Sequence, residues 1–255
     1  MDLELRGRVI AITGGTDGLG LDLARIIVDE GGHPVVCGRD EARLATARDL
    51  LGPTARVVRA DVTNEVDAQR FLDLALSEFG QLDGLVNNAG RSAASPIATA
   101  SDDEWREDYE LKVIAALRLC RLALPALEAT GGSIVNVLAV KGKAPDANST
   151  PTAASRAAGL ALTKSLAAEV GPRGIRVNAV LIGLMESGQW RRRADEMGIS
   201  ETEFYNTVLS FQKVPLGRFG RGEEFGALVA FLLSPRAGYV TGVGINLDGG
   251  LSPVP

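Results

Sequence analysis

The amino-acid sequence predicts an α/β fold, a doubly wound parallel sheet with helices on both faces. Short apolar runs alternate with longer amphipathic stretches along the whole chain, which is the pattern of repeated βαβ units. Hydrophobic residues make up 45% of the 255 residues and aromatic residues only 5%, so the predicted core is aliphatic, as buried parallel strands require. Because no linker, repeat or low-complexity tract interrupts the pattern, residues 1–255 are predicted to form one domain.

Strand and helix patterns alternate three times in the first third of the chain, and a fourth strand follows. The strands are short apolar runs, predicted at residues 9–13, 33–37, 55–59 and 85–87. The helices between them are predicted at residues 19–30, 40–51 and 64–79. In the third helix the apolar residues Val66, Phe71, Leu74 and Leu76 lie mostly at helical spacing.

Longer helices dominate the rest of the sequence. A helix is predicted at residues 102–129, with Ser101 and the acidic residues after it as an N-terminal cap. The remaining strands are predicted at residues 133–138, 176–181 and 244–247, and the remaining helices at 152–170 and 223–233. Residues 185–213 are polar and mixed in character, and they are predicted to be helical in pieces.

Charge and cysteine content exclude several classes of function. A net charge of −5 leaves no excess of Lys and Arg to neutralise nucleic-acid phosphates, and the cluster Arg191-Arg192-Arg193 is interpreted as a solvated helix face. Cys37 and Cys120 make neither a disulfide framework nor a metal site, and they suit a reducing compartment. The chain shows no signal-peptide core and no apolar run of the roughly 18 residues that a membrane span needs. We therefore expect a cytoplasmic protein with no metal, no nucleic-acid partner and no membrane contact.

The glycine-rich turn between the first strand and the first helix predicts a dinucleotide site. Glycine at such a turn allows positive φ, close approach of the backbone to a pyrophosphate, and close packing of helix on strand. The free N–H groups at the start of the helix would face the anion. The residues of the turn expected to contact the cofactor are Gly14, Thr16, Asp17, Gly18, Leu19 and Gly20. An ordinary tight turn is the alternative, but the position inside a βαβ unit favours a Rossmann-type domain.

Two further segments follow predicted strands at the edge where ligands of open α/β sheets bind. Asp61 and Val62 come after the third strand, where a carboxylate can accept a hydrogen bond from an adenine amine. Asn88, Ala89 and Gly90 come after the fourth strand and form a second turn of small residues. We expect both segments to contact the same cofactor.

In order and spacing, these motifs resemble the short-chain dehydrogenase/reductase family from about residue 6 to residue 250. The resemblance rests on the glycine turn, Asp61, Asn87-Asn88-Ala89-Gly90, Gly132-Ser133-Ile134-Val135-Asn136, Arg176-Val177-Asn178-Ala179-Val180 and Tyr239-Val240-Thr241-Gly242. It implies binding of NAD(H) or NADP(H), a small-molecule substrate over the nicotinamide, and a mobile substrate-covering segment, here residues 185–215. It also implies that the two long helices pair across a twofold axis, so that the protein is a homo-oligomer, a tetramer or a dimer.

The end of the second strand favours NADP(H) over NAD(H). Relatives that use NAD generally have an acid there, whereas this chain has Gly38 followed by Arg39, whose guanidinium can pair with a 2′-phosphate. Asp17 opposes this choice, because relatives that prefer NADP often have a basic residue at its position. Gly183 and Ser187 occupy the positions where relatives have a glycine and a threonine that contacts the cofactor.

The resemblance implies a catalytic serine, tyrosine, lysine and asparagine, and all four positions are substituted. Ala139 is at the serine position, Thr152 follows thirteen residues later at the tyrosine position, and Arg156 and Lys112 are at the lysine and asparagine positions. No Tyr-x-x-x-Lys sequence occurs anywhere in the chain. A threonine hydroxyl is a far weaker acid than a phenol, and a guanidinium stays protonated, so Arg156 can hold ribose hydroxyls but relay no proton. Ordinary tyrosine-dependent carbonyl reduction is therefore not expected.

Two lysines are candidate substitutes for the missing groups. Lys141, close to the lost serine, can polarise a carbonyl or bind an anionic substrate, or it is simply a solvated loop residue. If Lys112 points inward it faces Arg156, and because two cations repel, a bound anion or an outward rotamer is expected.

Two interpretations of function stay open from the sequence. One is an NAD(P)(H)-binding oxidoreductase with a divergent proton donor, or with an activated substrate that needs none. The other is a non-redox protein on the same scaffold, either a lyase, isomerase or cyclase, or a cofactor-sensing subunit.

Overall fold

Seven strands form a parallel central sheet in the computed structural model, which describes residues 2–255 and, at Gln189, the backbone alone. The strands are β1 (Val9–Thr13), β2 (His33–Gly38), β3 (Arg56–Arg59), β4 (Gly84–Asn87), β5 (Ser133–Ala139), β6 (Arg176–Ile182) and β7 (Gly244–Leu247). Their order across the sheet is β3-β2-β1-β4-β5-β6-β7. The order reverses between β1 and β4, so the crevice at their carboxyl ends is the expected ligand site of this doubly wound sheet.

Helices cover both faces of the sheet, as the sequence predicts. They are α1 (Gly18–Asp29), α2 (Glu41–Leu51), α3 (Glu65–Phe79), α4 (Asp102–Tyr109), α5 (Ala115–Thr130), α6 (Thr152–Val170), α7 (Gly188–Met197), α8 (Glu201–Phe211) and α9 (Gly222–Leu233). On one face Leu23 of α1 and Val229 of α9 belong to one buried aliphatic core. On the other face Phe71 of α3, Leu119 of α5 and Leu166 of α6 belong to a second. The Rossmann-type α/β prediction is confirmed.

Most element boundaries agree with the sequence prediction to within one residue, but the long helix predicted at 102–129 is wrong in one respect. It is interrupted by a π-helical turn, Glu110–Ile114, between α4 and α5. Buried positions recur there every four residues, at Asp108, Lys112, Ala116 and Cys120. An α-helix has 3.6 residues per turn, so such a series would rotate off the packed face, and the wider π turn returns it.

A two-stranded antiparallel ribbon, not predicted from the sequence, joins the loop after β4 to the start of α6. Ala94–Ser95 pairs with Thr150–Pro151, and the amide of Ala93 donates to the hydroxyl of Thr152, at 2.9 Å. Strands of two residues are too short to show an alternating pattern. The ribbon nevertheless fixes the first residue of α6, which is the family's tyrosine position.

Both cysteines are buried free thiols, in β2 and α5, and burial raises the pKa of each to about 12. Among residues 2–255, no helix combines the length and the apolar character that crossing a bilayer demands.

Candidate active site

The glycine turn and the end of β4 are tied together at the crevice of the sheet. The side-chain amide of Asn88 donates to the carbonyl oxygens of Thr13 and Gly14, at 2.8 and 3.1 Å. In return, the backbone amides of Asn88 and Ala89 both donate to the hydroxyl of Thr13, at 2.9 Å each. Thr13 is a site residue that the sequence reasoning missed, although its place at the end of a strand in the motif was a usable signal.

The turn itself is shaped so that only glycine fits. Gly14 and Gly18 have positive φ values, 63° and 52°, and a Cβ on Gly20 would lie 2.4 Å from the carbonyl oxygen of Gly14. The side chain of Asp17 caps α1 by accepting from the amide of Gly18, at 2.9 Å. The amides of Leu19 and Gly20 have no intrahelical acceptor, and such a helix start fits the pyrophosphate of a dinucleotide.

The end of β2 lies against the glycine turn. A Cβ on Gly38 would lie 2.3 Å from the hydroxyl of Thr16, so a side chain at this position would require Thr16 to move. Arg39 turns toward Asp61, with 3.2 Å between guanidinium and carboxylate. The second oxygen of Asp61 accepts from the hydroxyl and amide of Thr63, at 2.7 and 3.0 Å. The predicted residues Arg39 and Asp61 therefore lie side by side.

Asp17 does not present a free carboxylate to this crevice. Its second oxygen lies 2.9 Å from Arg192 of α7 and 3.5 Å from Arg43 of α2. The cluster 191–193 is exposed, as predicted, but it is also paired, since Arg191 bonds Glu201 at 3.1 Å. The charge of Asp17 is thus offset by two guanidiniums, which weakens the repulsion between its carboxylate and a phosphate group.

Segment 185–215 begins beside the glycine turn. The Cβ of Ser187 lies 3.8 Å from where a Cβ on Gly18 would be, so Ser187 lies next to the glycine turn. Gly183 donates its amide to Leu247 of β7, at 3.0 Å, and packs against Asp248. Sequence reasoning placed both residues at the cofactor, and the structure brings only Ser187 against the turn.

The family's asparagine position is occupied by a buried lysine. The side chains of Lys112 and Asp108 are each 1% exposed and form an ion pair within one helical turn. The expectation of an outward rotamer at Lys112 is wrong, because Asp108 of α4 supplies a negative charge that faces the inward ammonium group. The sequence does not single out Asp108, which lies in an acidic stretch that resembles a solvated helix start, although Asp and Lys four residues apart are a recognisable pair.

Lys112 reaches the family's tyrosine position. Its ammonium group donates to the hydroxyl oxygen of Thr152, at 2.8 Å. That oxygen also accepts the amide of Ala93, so both of its lone pairs are in use. The hydroxyl hydrogen of Thr152 is therefore its one remaining hydrogen-bonding capacity, and the group can act toward a further partner only as a donor.

Asp108 is bound through both of its carboxylate oxygens. One faces Lys112, and the other accepts the hydroxyl of Ser155, at 2.5 Å. The same hydroxyl lies 3.0 Å from the carbonyl oxygen of Thr152. These contacts close a ring of polar groups between α4 and α6, and Ser155 is the second member that the sequence reasoning missed.

Arg156 occupies the family's lysine position and faces the ends of β4 and β5. One terminal nitrogen donates to the carbonyl oxygen of Val137, at 2.6 Å, and the other lies 2.9 Å from where a Cβ on Gly90 would be. Its Nε is buried and has no partner among the described residues. Burial lowers the pKa of Arg156 to about 10, opposed by Asp108, so the group is still a cation at neutral pH.

The remaining predicted residues do not join this cluster. Ala139 ends β5 opposite Ile182 and offers no donor or acceptor on its side chain. Lys141 is half-buried and pairs with Asp146 of its own loop, at 2.9 Å. This agrees with the interpretation of Lys141 as a loop residue without a role in the site. In the part of the chain that the structure describes, no three His, Cys, Asp or Glu side chains are grouped to hold a metal ion.

The electrostatics of the cluster make the ammonium group of Lys112 a stronger acid than that of an ordinary lysine. Burial, and after it the positive charge of Arg156, lowers the pKa of Lys112 to about 8, although Asp108 acts in the opposite direction. A proton donor is most effective when its pKa lies near the working pH. The site therefore holds an acid suited to neutral pH, bonded to a hydroxyl whose hydrogen is free to donate.

Comparison with known proteins identifies the family. Residues 14–252 match the family model described as Enoyl-(Acyl carrier protein) reductase, which covers most of the chain. The protein belongs to the short-chain dehydrogenase/reductase family. Among curated relatives of this family, the L-fucose dehydrogenase of Oryctolagus cuniculus is 34% identical over 96% of this chain and 84% of its own length.

Two solved structures of family members resemble this short-chain dehydrogenase/reductase over nearly its full length. L-sorbose reductase from Gluconobacter frateurii, complexed with NADPH and L-sorbose, superposes with a TM-score of 0.94, at 32% identity and full coverage of both chains. An NADPH-bound short-chain oxidoreductase from Pseudomonas aeruginosa PAO1 superposes with a TM-score of 0.90, at 33% identity over 97% of this chain and 98% of that chain. The latter is described as containing an atypical catalytic center.

Replacing Lys112 with methionine tests the buried ion pair. The Lys112→Met variant leaves Asp108 as an unpaired carboxylate in the core, and we expect its free energy of unfolding to fall by about 3–5 kcal/mol. The double variant Asp108→Asn/Lys112→Met removes both charges and is expected to recover most of that loss. Urea unfolding measures each value.

The exposed Lys213 provides the matched control for this comparison. Lys213→Met should change the free energy of unfolding by less than about 0.5 kcal/mol. A Lys112→Met variant that is as stable as Lys213→Met would show that the ion pair contributes nothing to the fold.

Proposed function

We propose that this protein is an NADP(H)-dependent oxidoreductase that reduces the carbonyl group of a small molecule, with Lys112 and Thr152 supplying the proton. The observation behind the proposal is the bond from Lys112 to a threonine hydroxyl that has only its own hydrogen left to donate. Membership of an oxidoreductase family and likeness to two NADPH complexes support the choice of reaction.

The crevice favours NADP(H) over NAD(H) because of its arginines. Arg39 and Arg43 lie around Gly38, and their ion pairs with Asp61 and Asp17 are solvent-exposed, with the arginine side chains 70% and 42% exposed. Exposed ion pairs contribute at most about 1 kcal/mol, so a 2′-phosphate dianion can displace these carboxylates from the guanidiniums. The pyrophosphate would lie on the glycine turn and the nicotinamide ribose beside Arg156. When bound, the cofactor supplies the hydride.

The proton follows a path through two side chains. Thr152 donates its hydroxyl hydrogen to the carbonyl oxygen as the carbonyl carbon receives the hydride, and Lys112 passes a proton to the same hydroxyl oxygen. Lys112 is left as a neutral amine, which a pKa of about 8 permits near neutral pH. Arg156 keeps its charge throughout and stabilises the negative charge that develops on the oxygen. The product is an alcohol.

Segment 185–215 is proposed as the mobile cover of the substrate. In this segment the rings of Trp190 and Phe204 have centroids 5.7 Å apart. Trp190 and Tyr205 lie 6.2 and 4.4 Å from the ring of Phe219 outside the segment. This aromatic cluster would hold the segment against the rest of the domain by apolar contacts. We further propose that residues 1–255 act as one domain in a cytoplasmic homo-oligomer, a tetramer or a dimer, paired through α5 and α6.

Cofactor choice can be measured by thermal shift with NADPH and NADH. At equal concentrations NADPH is expected to stabilise the protein more than NADH does, and at 100 times its own dissociation constant NADPH should add about 2.7 kcal/mol. Arg39→Ala removes a charge-assisted bond worth about 1.5–3 kcal/mol, so NADPH should bind roughly 10- to 100-fold more weakly while NADH is unaffected. Arg25→Ala, an exposed arginine two turns into α1, is the matched control. Equal stabilisation by both cofactors would refute the preference for NADP(H).

The role of Thr152 can be measured by comparing two substitutions in NADPH oxidation assays. Thr152→Val keeps the shape but removes the hydroxyl, and kcat/KM should fall by a factor of about 10²–10⁴, as expected for a lost proton donor. Thr152→Ser keeps the hydroxyl and should stay within about tenfold of wild type. The substrate is the best one from a panel of ketoses, simple ketones and 3-oxo esters.

The outcomes of this assay separate redox from non-redox function. If Thr152→Val is as active as wild type, the proton comes from another group. If wild type oxidises NADPH with no carbonyl in the panel although thermal shift shows binding, the non-redox interpretation replaces this proposal.

A further inference from the structure

Asp108 lies at the last turn of α4, immediately before the π turn, and it is buried with both of its carboxylate oxygens engaged. A buried carboxylate needs partners of this kind, because removing it from water without them is costly. Its two partners lie on different elements: Lys112 in the π turn and Ser155 in α6. Asp108 therefore joins the two elements at the proton donor.

The charges that face Lys112 come from three elements. Asp108 of α4 is the one carboxylate in contact with it among the described residues, Arg156 of α6 is a cation, and Arg91 in the loop after β4 adds a second positive charge. Arg91 is itself paired with the exposed Glu107, at 2.5 Å. Burial and both arginines favour a neutral amine, and Asp108 alone among these groups favours the ammonium.

Asp108 also restricts the direction of the ammonium group. A lysine side chain is a flexible four-carbon stem with three equivalent donors, and nothing in the stem itself selects one rotamer. Here one donor is taken by Asp108 and another by Thr152, while Ser155 holds the opposite oxygen of the carboxylate. Ser155 also contacts the backbone of Thr152, so the donor, the hydroxyl and the carboxylate are fixed relative to one another.

We infer that Asp108 is a positioning residue for the reaction: it keeps Lys112 protonated and directed at Thr152, with Ser155 fixing the carboxylate. This inference rests on the proposed role of Lys112 as the proton source, but the charge state of Lys112 can be observed without any turnover.

The test is a titration of the lysine side chains by NMR in protein labelled at the lysine ε-carbon. The chain has five lysines, so the spectrum is simple, and the Lys112 signal is the one missing from Lys112→Met. In wild type this signal should titrate near pH 8. In Asp108→Asn it should titrate about 1–3 pH units lower, since an opposite charge in contact shifts a pKa by that amount.

Asp103→Asn is the matched control, because Asp103 is an exposed aspartate of the same helix. It should leave the Lys112 titration unchanged. Equal titration of Lys112 in the two Asn variants would overturn the inference. Asp108→Glu keeps the charge but moves the carboxylate by one methylene, so it should hold the titration near that of wild type while lowering kcat.

If Asp108→Asn does not fold, Asp108→Glu decides the inference, and a kcat equal to wild type in that variant would contradict it. The pH dependence of NADPH oxidation is recorded alongside. If the titration of Lys112 shifts in Asp108→Asn while the pH profile of activity stays the same, that outcome supports the control of Lys112 by Asp108 and contradicts the proposed role of Lys112 as the proton source.

Discussion

A lysine ammonium that is 1% exposed needs a negative partner in the same place, and the buried pair of Lys112 and Asp108 meets that need within one turn of helix. The other features of the catalytic end follow from this pair. The π turn keeps both residues on the face that packs against α6. Ser155 and the amide of Ala93 satisfy the neighbouring oxygens, so that the polar groups in contact with the pair have partners although they lie in the core.

The ion pair of Lys112 and Asp108 relates the substitutions at the family's catalytic positions to one another. A threonine is a ring shorter than a tyrosine, and the long side chain of Lys112 reaches the hydroxyl of Thr152 from the asparagine position. In place of the usual lysine, Arg156 keeps a fixed positive charge, and that charge helps to lower the pKa of Lys112. In the proposed mechanism the acid has therefore moved to the asparagine position, while the cation that tunes it stays at the lysine position.

The sequence predicts the fold and the shape of the glycine turn well because both depend on local patterns. Apolar periodicity places the strands, and the glycines of the turn follow from the need for close backbone approach, as the contact between Gly20 and Gly14 illustrates. The catalytic end depends on contacts between distant segments. Neither the π turn nor the pairing of Ala94–Ser95 with Thr150–Pro151 has a periodic signature, so the inward direction of Lys112 could not be predicted. Asp17 and Arg192 are also far apart in sequence, so their ion pair could not be predicted either.

The most direct measurement of the central claim is the pH dependence of kcat for NADPH-dependent carbonyl reduction at saturating substrate. Lys112 must be an ammonium to deliver its proton, so activity should be full well below the pKa of about 8 and should fall as pH rises through it. The slope should correspond to the loss of one proton, about tenfold per pH unit. A rate that stays constant from pH 7 to about pH 10, the ordinary range of a lysine ammonium, would contradict the claim that Lys112 is the proton source.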